Sequence, residues 1–421
     1  MQDKHTRIVH RSAPAACLLA VLAAAPAHAT NGYFEHGYGI KSQGIGGGGV
    51  ALPQDGLAAA ANPAGSAFVG NRVDVGLSWF MPKRSADIVG NAAPVNGSYD
   101  GNGKQHFLIP ELGAVRQVGP RLAAGIAIYG NGGMNTSYKG GIPLFGSGEA
   151  GVNLEQMFIA PNLAWKVTQQ HAIGAAVNFA YQRFKAQGLA NFDNPLFSSS
   201  PGNVTDRGSD GATGWGVRLG YLGKLTPDFT FGATWSSKIH ARKFDKYRGL
   251  FADGGSFDIP ENYGIGAAWQ VTPGLTLAAD VNRILFGAVT AVGAPLANFA
   301  RGQLGAANGP GFGWTNITVH KIGAAYALNP GLVLRLGYDH AGQPVPAGET
   351  LFNMLAPGIV QKHLSTGATL KFTHSELSIA YTHAFRRQVD GIDSIPQSFG
   401  GGNANLRLAE HSLGVAYGRK F

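Results

Sequence analysis

The sequence predicts an all-β fold, a fourteen-stranded antiparallel transmembrane β-barrel with an N-terminal plug inside its lumen. Three observations predict it. Fourteen segments of roughly ten or more residues alternate apolar with small or polar residues. The gaps between them run long, short, long, short to the last residue, Phe421. A Gly- and Ala-rich stretch precedes the first segment and does not share its alternation. In such a barrel each long link faces outward and each tight turn faces the periplasm.

The chain begins with Lys4, Arg7 and Arg11, followed by the apolar run Cys17 to Ala25 and by Ala27-His28-Ala29. This is the pattern of a secretory signal peptide, residues 1–29, cleaved before Thr30. Cys17 stands at the start of the apolar run and not at its end, which argues against a lipoprotein anchor. Loss of the leader removes three positive charges and one negative, so the formal net charge falls from +9 to +7. The remaining cations are scattered, and with an export signal they argue for contact with anionic outer-membrane lipid and lipopolysaccharide and against nucleic acid.

The only cysteine leaves with the leader, so no disulfide, thiol nucleophile or thiolate metal site is expected. No later segment approaches the ~18 to 20 consecutive apolar residues of a membrane-spanning helix. With 63 glycines and 14% charged residues the chain also lacks the composition of a disordered protein.

Residues 30–70 are read as the plug. They run through Asn31-Gly32-Tyr33-Phe34 and the glycines 46–49 to Asn62-Pro63-Ala64-Gly65, and their small side chains suit close backbone approach in a lumen. The barrel then occupies residues 71–421. Its tight turns are Val118-Gly119-Pro120, Thr168 to His171, Leu225 to Asp228, Val271 to Gly274, Asn329-Pro330-Gly331 and Thr373-His374-Ser375, all rich in turn formers. The long links fall near 83–104, 131–153, 186–211, 244–255, 288–313, 342–361 and 386–405.

Strand phase is read from period two. Leu332, Leu334, Leu336 and Tyr338 share one face, read as lipid-facing, while Arg335, Gly337 and Asp339 take the other. Trp165, Tyr221, Phe229, Trp269, Tyr326 and Phe372 fall near the tight turns, with Trp79, Phe80, Tyr129 and Phe385 near the long links, as two aromatic girdles. The last strand ends on Phe421, which resembles the recognition signal of the bacterial barrel-assembly machinery.

Taken together, His36-Gly37-Tyr38-Gly39 leading to Gly44-Ile45-Gly46, Ala51-Leu52-Pro53-Gln54-Asp55 and Asn62-Pro63-Ala64 ahead of fourteen strands resemble the FadL family of outer-membrane transporters for long-chain fatty acids and other hydrophobic compounds. The resemblance implies a monomer in the outer membrane of a Gram-negative bacterium, working by energy-independent diffusion. Outer loops capture the ligand, a lumen site holds it, and it leaves sideways through a gap in the wall. The gap comes from an inward kink of the third strand that contacts the Asn62-Pro63-Ala64 segment, and Gly130-Asn131-Gly132-Gly133 stand where a bend is permitted. For capture, Leu189, Phe192, Leu196 and Phe197 occur in the third long loop and Leu250 and Phe251 in the fourth.

An anionic head group calls for an inward cation, and phase counting turns Arg218, Lys321 and Arg335 inward. Arg183 and Lys185 lie near the family's head-group region but share the phase of lipid-facing Ile173, Val177 and Phe179. The expected cargo is a long-chain fatty acid, with aromatic hydrocarbons or alkanes as the alternative. A lipid hydrolase is a rival from another class, since His363 and Ser365 share a strand face, but no nucleophile elbow accompanies them. A general porin is another rival, which a large open conductance would favour. No His-Glu-x-x-His and no phosphate loop occur, so neither metal nor cofactor is expected.

Overall fold

The computed structural model describes residues 30–421, and the stretch read as a leader lies outside them. The wall comprises β1 (Arg72–Val89), β2 (Phe107–Gln117), β3 (Leu122–Asn135), β4 (Gly151–Lys166), β5 (His171–Gln187), β6 (Asp210–Lys224) and β7 (Phe229–Ser236). It continues with β8 (Asn262–Thr272), β9 (Leu275–Ile284), β10 (Ile317–Asn329), β11 (Leu332–Ala341), β12 (Lys362–Lys371), β13 (Ser375–Val389) and β14 (Asn403–Lys420). Each strand pairs antiparallel with the next, and β14 pairs with β1 from Asn403↔Val89 to Lys420↔Arg72, which closes the cylinder. Closure satisfies backbone groups that would cost several kcal/mol each if left open to hydrocarbon. Among the described residues no helix is long and apolar enough to cross a membrane.

Side-chain phase follows from the two media. On β11, Leu334 and Leu336 are exposed on the outer surface, while Arg335 and Asp339 are buried in the lumen. Trp165, Trp269, Tyr326 and Phe372 are exposed at the tight-turn end, with Trp79 and Phe385 at the other. Phe80 and Tyr129, read as girdle residues, are instead buried in the interior. The pleat turns Phe80 away from its neighbour Trp79. Tyr129 stands at the entry to the β3 bulge and packs its ring 5.5 Å from the buried Phe158.

Thr30 to Gly70 fills the lumen. Thr30–Asn31 pairs with Phe34–Glu35, followed by the short helices α1 (Ile40–Gln43) and α2 (Ala58–Ala61) and a 3-10 turn, Pro63–Ala67. Plug and wall touch backbone to backbone: a Cβ on Gly337 would stand 2.0 Å from the Gly46 nitrogen, and one on Gly113 would stand 2.3 Å from the Gly56 carbonyl carbon. With so little regular structure, the plug takes hydrogen-bond partners from inward wall side chains. Asp280 accepts from the Gly49 and Val50 amides at 2.8 and 3.0 Å. Glu111 accepts from Gly39 and Ile40 at 3.2 and 3.1 Å, and Asp74 from Gly56 at 2.8 Å. Lys41 of the plug pairs with Glu376, which also pairs with Arg72.

Candidate functional site

The hydrogen-bonded ladder of the wall is interrupted between β2 and β3, which leaves a window in the pairing. β2 pairs with β3 from Gln117↔Ala123 to Leu112↔Ile128 and no further, although both strands continue. Beyond Ile128, β3 carries a bulge between Gly130 and Gly132 opposite β4, and Gly132 pairs with Phe34 of the plug. At the outer end the seam closes again, where Ser137 donates to Gly101 at 3.1 Å and Gly103 donates to Ser137 at 2.8 Å. The opening thus lies between Phe107–Glu111 on β2 and Tyr129–Asn135 on β3. Pro110, which has no N–H to offer, pairs with Leu77 of β1 but lies on the stretch of β2 that has no partner on its β3 side, as suits a strand edge.

Gly132 has to be glycine here, because a Cβ would stand 2.1 Å from the Tyr33 carbonyl oxygen. Asn131 accepts from the Tyr38 hydroxyl at 2.9 Å and donates to Gln156 at 3.2 Å. Inside the window Phe80, Phe107 and Ile109 form a small apolar cluster of their own. Arg84 of β1 spans the outer part of the window, its guanidinium donating to Asn135 Oδ1 at 3.0 Å and to the Lys104 carbonyl.

Asn62, Pro63 and Ala64 do not brace the kink. Asn62 donates to the carbonyls of Val50 and Tyr221, both at 2.8 Å, and its side-chain oxygen accepts from Ala64 at 3.1 Å. Pro63 and Ala64 press against Gly174 of β5, and Ser66 donates to Asn162 of β4. The motif therefore anchors the end of the plug on β4 to β6, and Tyr33 and Phe34 take the place expected for it at the bend. The physical reason is the pairing itself: an exposed strand edge accepts an extended partner, which Phe34 supplies, while a 3-10 turn cannot.

Under the long links lies an apolar chamber with a cavity volume of about 40 Å³. Leu189, Phe192, Leu250 and Phe251 all line it, together with Phe145, Phe184, Phe312 and Phe352 from other elements. Phe197 is half-buried outside it, 5.8 Å from Phe192 and 5.2 Å from Phe399, and Leu196 is 73% exposed. A run of touching rings thus leads from the surface to the chamber. The chamber rings share one continuous apolar core with Tyr33, Phe34 and Phe286.

The five candidate cations separate into three groups. Lys321 donates to the carbonyls of His36 and Gly47 at 2.6 and 3.2 Å, and Arg335 donates to Gln54 and Thr369 at 3.1 and 2.6 Å. Both are inward, as phase counting has them, but both are occupied in holding the plug and its surroundings. Arg183 and Lys185 face outward and are exposed. Arg218 alone is buried in the lumen with Nε and one terminal nitrogen unpartnered, its guanidinium 5.8 Å from the Tyr38 ring. It lines a second, polar cavity with Glu35, Tyr38, Asp280 and Lys321. Burial raises the Tyr38 pKa, so its hydroxyl keeps its proton and donates to Asn131.

His363 and Ser365 do not form a catalytic pair. Ser365 Oγ accepts from the Gly46 amide at 2.8 Å, and His363 Nδ1 lies 2.6 Å from Asp339 Oδ1, with its ring stacked 5.7 Å from His36. Burial holds the His36 imidazole neutral by lowering its pKa to about 3. Among the described residues no three His, Cys, Asp or Glu side chains cluster as metal ligands.

Known proteins agree with this architecture. The structure is similar to the toluene transporter TodX of P. putida at 20% identity, covering 92% of this chain and 99% of that one with a TM-score of 0.67. It is similar to a Pseudomonas aeruginosa FadL homologue at 17% identity, 93% and 100% coverage and a TM-score of 0.69. For the Ralstonia pickettii toluene transporter TbuX the values are 19%, 92%, 99% and 0.66. No curated protein sequence matches the chain. The model of the family described as outer membrane protein transport protein (OMPP1/FadL/TodX) matches residues 20–413, and the chain belongs to this family.

Proposed function

We propose that this protein admits small, uncharged hydrophobic compounds through the outer membrane by energy-independent diffusion. The half-buried rings of Phe197 and Phe399, with exposed Leu196 beside them, capture the compound, the chamber holds it, and it leaves through the β2–β3 window into the bilayer. One observation carries the reading: no residue lining the chamber has a charged or hydrogen-bonding side chain. A carboxylate placed there finds no partner and pays a desolvation penalty of several kcal/mol. An apolar molecule gains roughly 0.8 kcal/mol for each CH₂ kept from water, a gain preserved on passing sideways into lipid. The likeness to two toluene transporters supports the same class of cargo.

A specific observation favours a second reading. The unpartnered nitrogens of Arg218 suit a carboxylate, so a long-chain fatty acid would place its head there and not in the chamber. One chain encloses the whole route, so the working unit is a monomer. The test is uptake of radiolabelled toluene and oleate by cells with and without the protein. Toluene uptake that depends on the protein and survives Arg218→Leu supports the first reading. Oleate uptake alone, abolished by Arg218→Leu, overturns it in favour of the second.

A further inference from the structure

Arg183 and Lys185, turned away from the lumen, share the exposed face of β5 with Phe179 and Tyr181 and stand beyond those rings toward the long links. The outer surface is concave beside the bent end of β3, and Lys104 and Lys139 line the same hollow. Two carboxylates also border it, but both are engaged. Glu149 accepts from Ser137 Oγ at 2.5 Å, and Glu155 accepts from Asn153 at 2.6 Å and lies 4.0 Å from Arg183. Ser209 Oγ accepts from Arg183 at 3.2 Å and steadies the guanidinium at the rim.

Four cations against two carboxylates leave a positive hollow. Its position is just outward of lipid-facing aromatic residues, at the level where head groups of the outer leaflet lie. We propose that this hollow binds the phosphates of an outer-leaflet glycolipid, the phosphorylated disaccharide of lipopolysaccharide. Arginine pairs phosphate oxygens bidentately while the three lysines supply point charge. The acyl chains of the same lipid then run down the exposed face through Tyr181, Phe179 and Ile173. The proposal concerns the wall and not the cargo, so it stands or falls apart from the substrate reading.

The test is native mass spectrometry of the purified full-length protein in detergent, with diphosphorylated lipid A, dephosphorylated lipid A and oleate as probes. Diphosphorylated lipid A is expected to bind, with about tenfold weaker binding in R183A/K185A, equivalent to ~1.4 kcal/mol, since two solvent-screened cations are lost together. R183K/K185R is expected to retain most binding, and K104A/K139A to lose part of it from a separate pair of links. Equal binding of all variants, or equal binding of the dephosphorylated lipid, overturns the proposal. Displacement of lipid A by equimolar oleate also overturns it, because the hollow would then serve departing acids.

Discussion

The amide of Gly133 donates to the carbonyl of Tyr33 at 3.0 Å, so β3 is paired with the plug where it has parted from β2. The plug and the window are therefore one device. Whatever moves Tyr33 and Phe34 alters the edge that the proposed route uses as its exit.

Gly132→Val tests that coupling. Its Cβ would collide with the Tyr33 oxygen, 2.1 Å away, and separate the plug strand from β3. Loss of a buried backbone pairing costs roughly 1–3 kcal/mol. Uptake should fall several-fold while the barrel stays heat-modifiable on gels, and a variant with unchanged uptake contradicts the coupling.

Phe251→Glu tests the chamber. The new carboxylate has no partner among the lining residues, and its hydration would occupy the space for cargo. Uptake of toluene should fall by about tenfold, equivalent to ~1.4 kcal/mol, and Phe251→Leu should keep most of it. Equal uptake by both variants would show that the chamber is not on the route.

Asp280→Ala tests what keeps the lumen shut. It orphans the Gly49 and Val50 amides, each worth roughly 1–3 kcal/mol when buried and unsatisfied. In planar bilayers the wild type should pass little steady current, whereas the variant should show frequent openings. A silent variant means that the remaining plug contacts suffice.

His36 sets a pH dependence. Its ring faces His363, Asp339 and Lys321, and burial is the main reason that its folded pKa lies near 3. A histidine with a depressed folded pKa adds stability above its unfolded pKa of about 6.5, and that stability is lost as pH falls toward 3. The melting temperature should drop over this window, and less so in His36→Asn. Parallel pH profiles for the two proteins would remove His36 from the account.

Much of the barrel was legible in the sequence because lipid and lumen impose period two on every strand. The alternation of Leu334, Arg335 and Leu336 settles their faces by residue type alone. Gly130 to Gly133 announce a bend for the same kind of local reason, since glycines permit a bulge. What the bend touches is another matter. Phe34↔Gly132 is a long-range backbone pairing, and backbone atoms leave no trace in residue type. The same limit hid the fate of Lys321, whose partners are two plug carbonyls. Pro110 was the available sign that β2 has a free edge, and Arg84 across that edge carried no local signal.

The most direct measurement closes the window reversibly. Cysteines placed at Leu108 and Asn135, on opposite sides of the opening, can be joined by reducible thiol crosslinkers of graded length in a chain whose only native cysteine is Cys17. Toluene uptake should stop on crosslinking with the shortest linker that reacts and recover on reduction. Full uptake with the crosslink in place would contradict lateral exit.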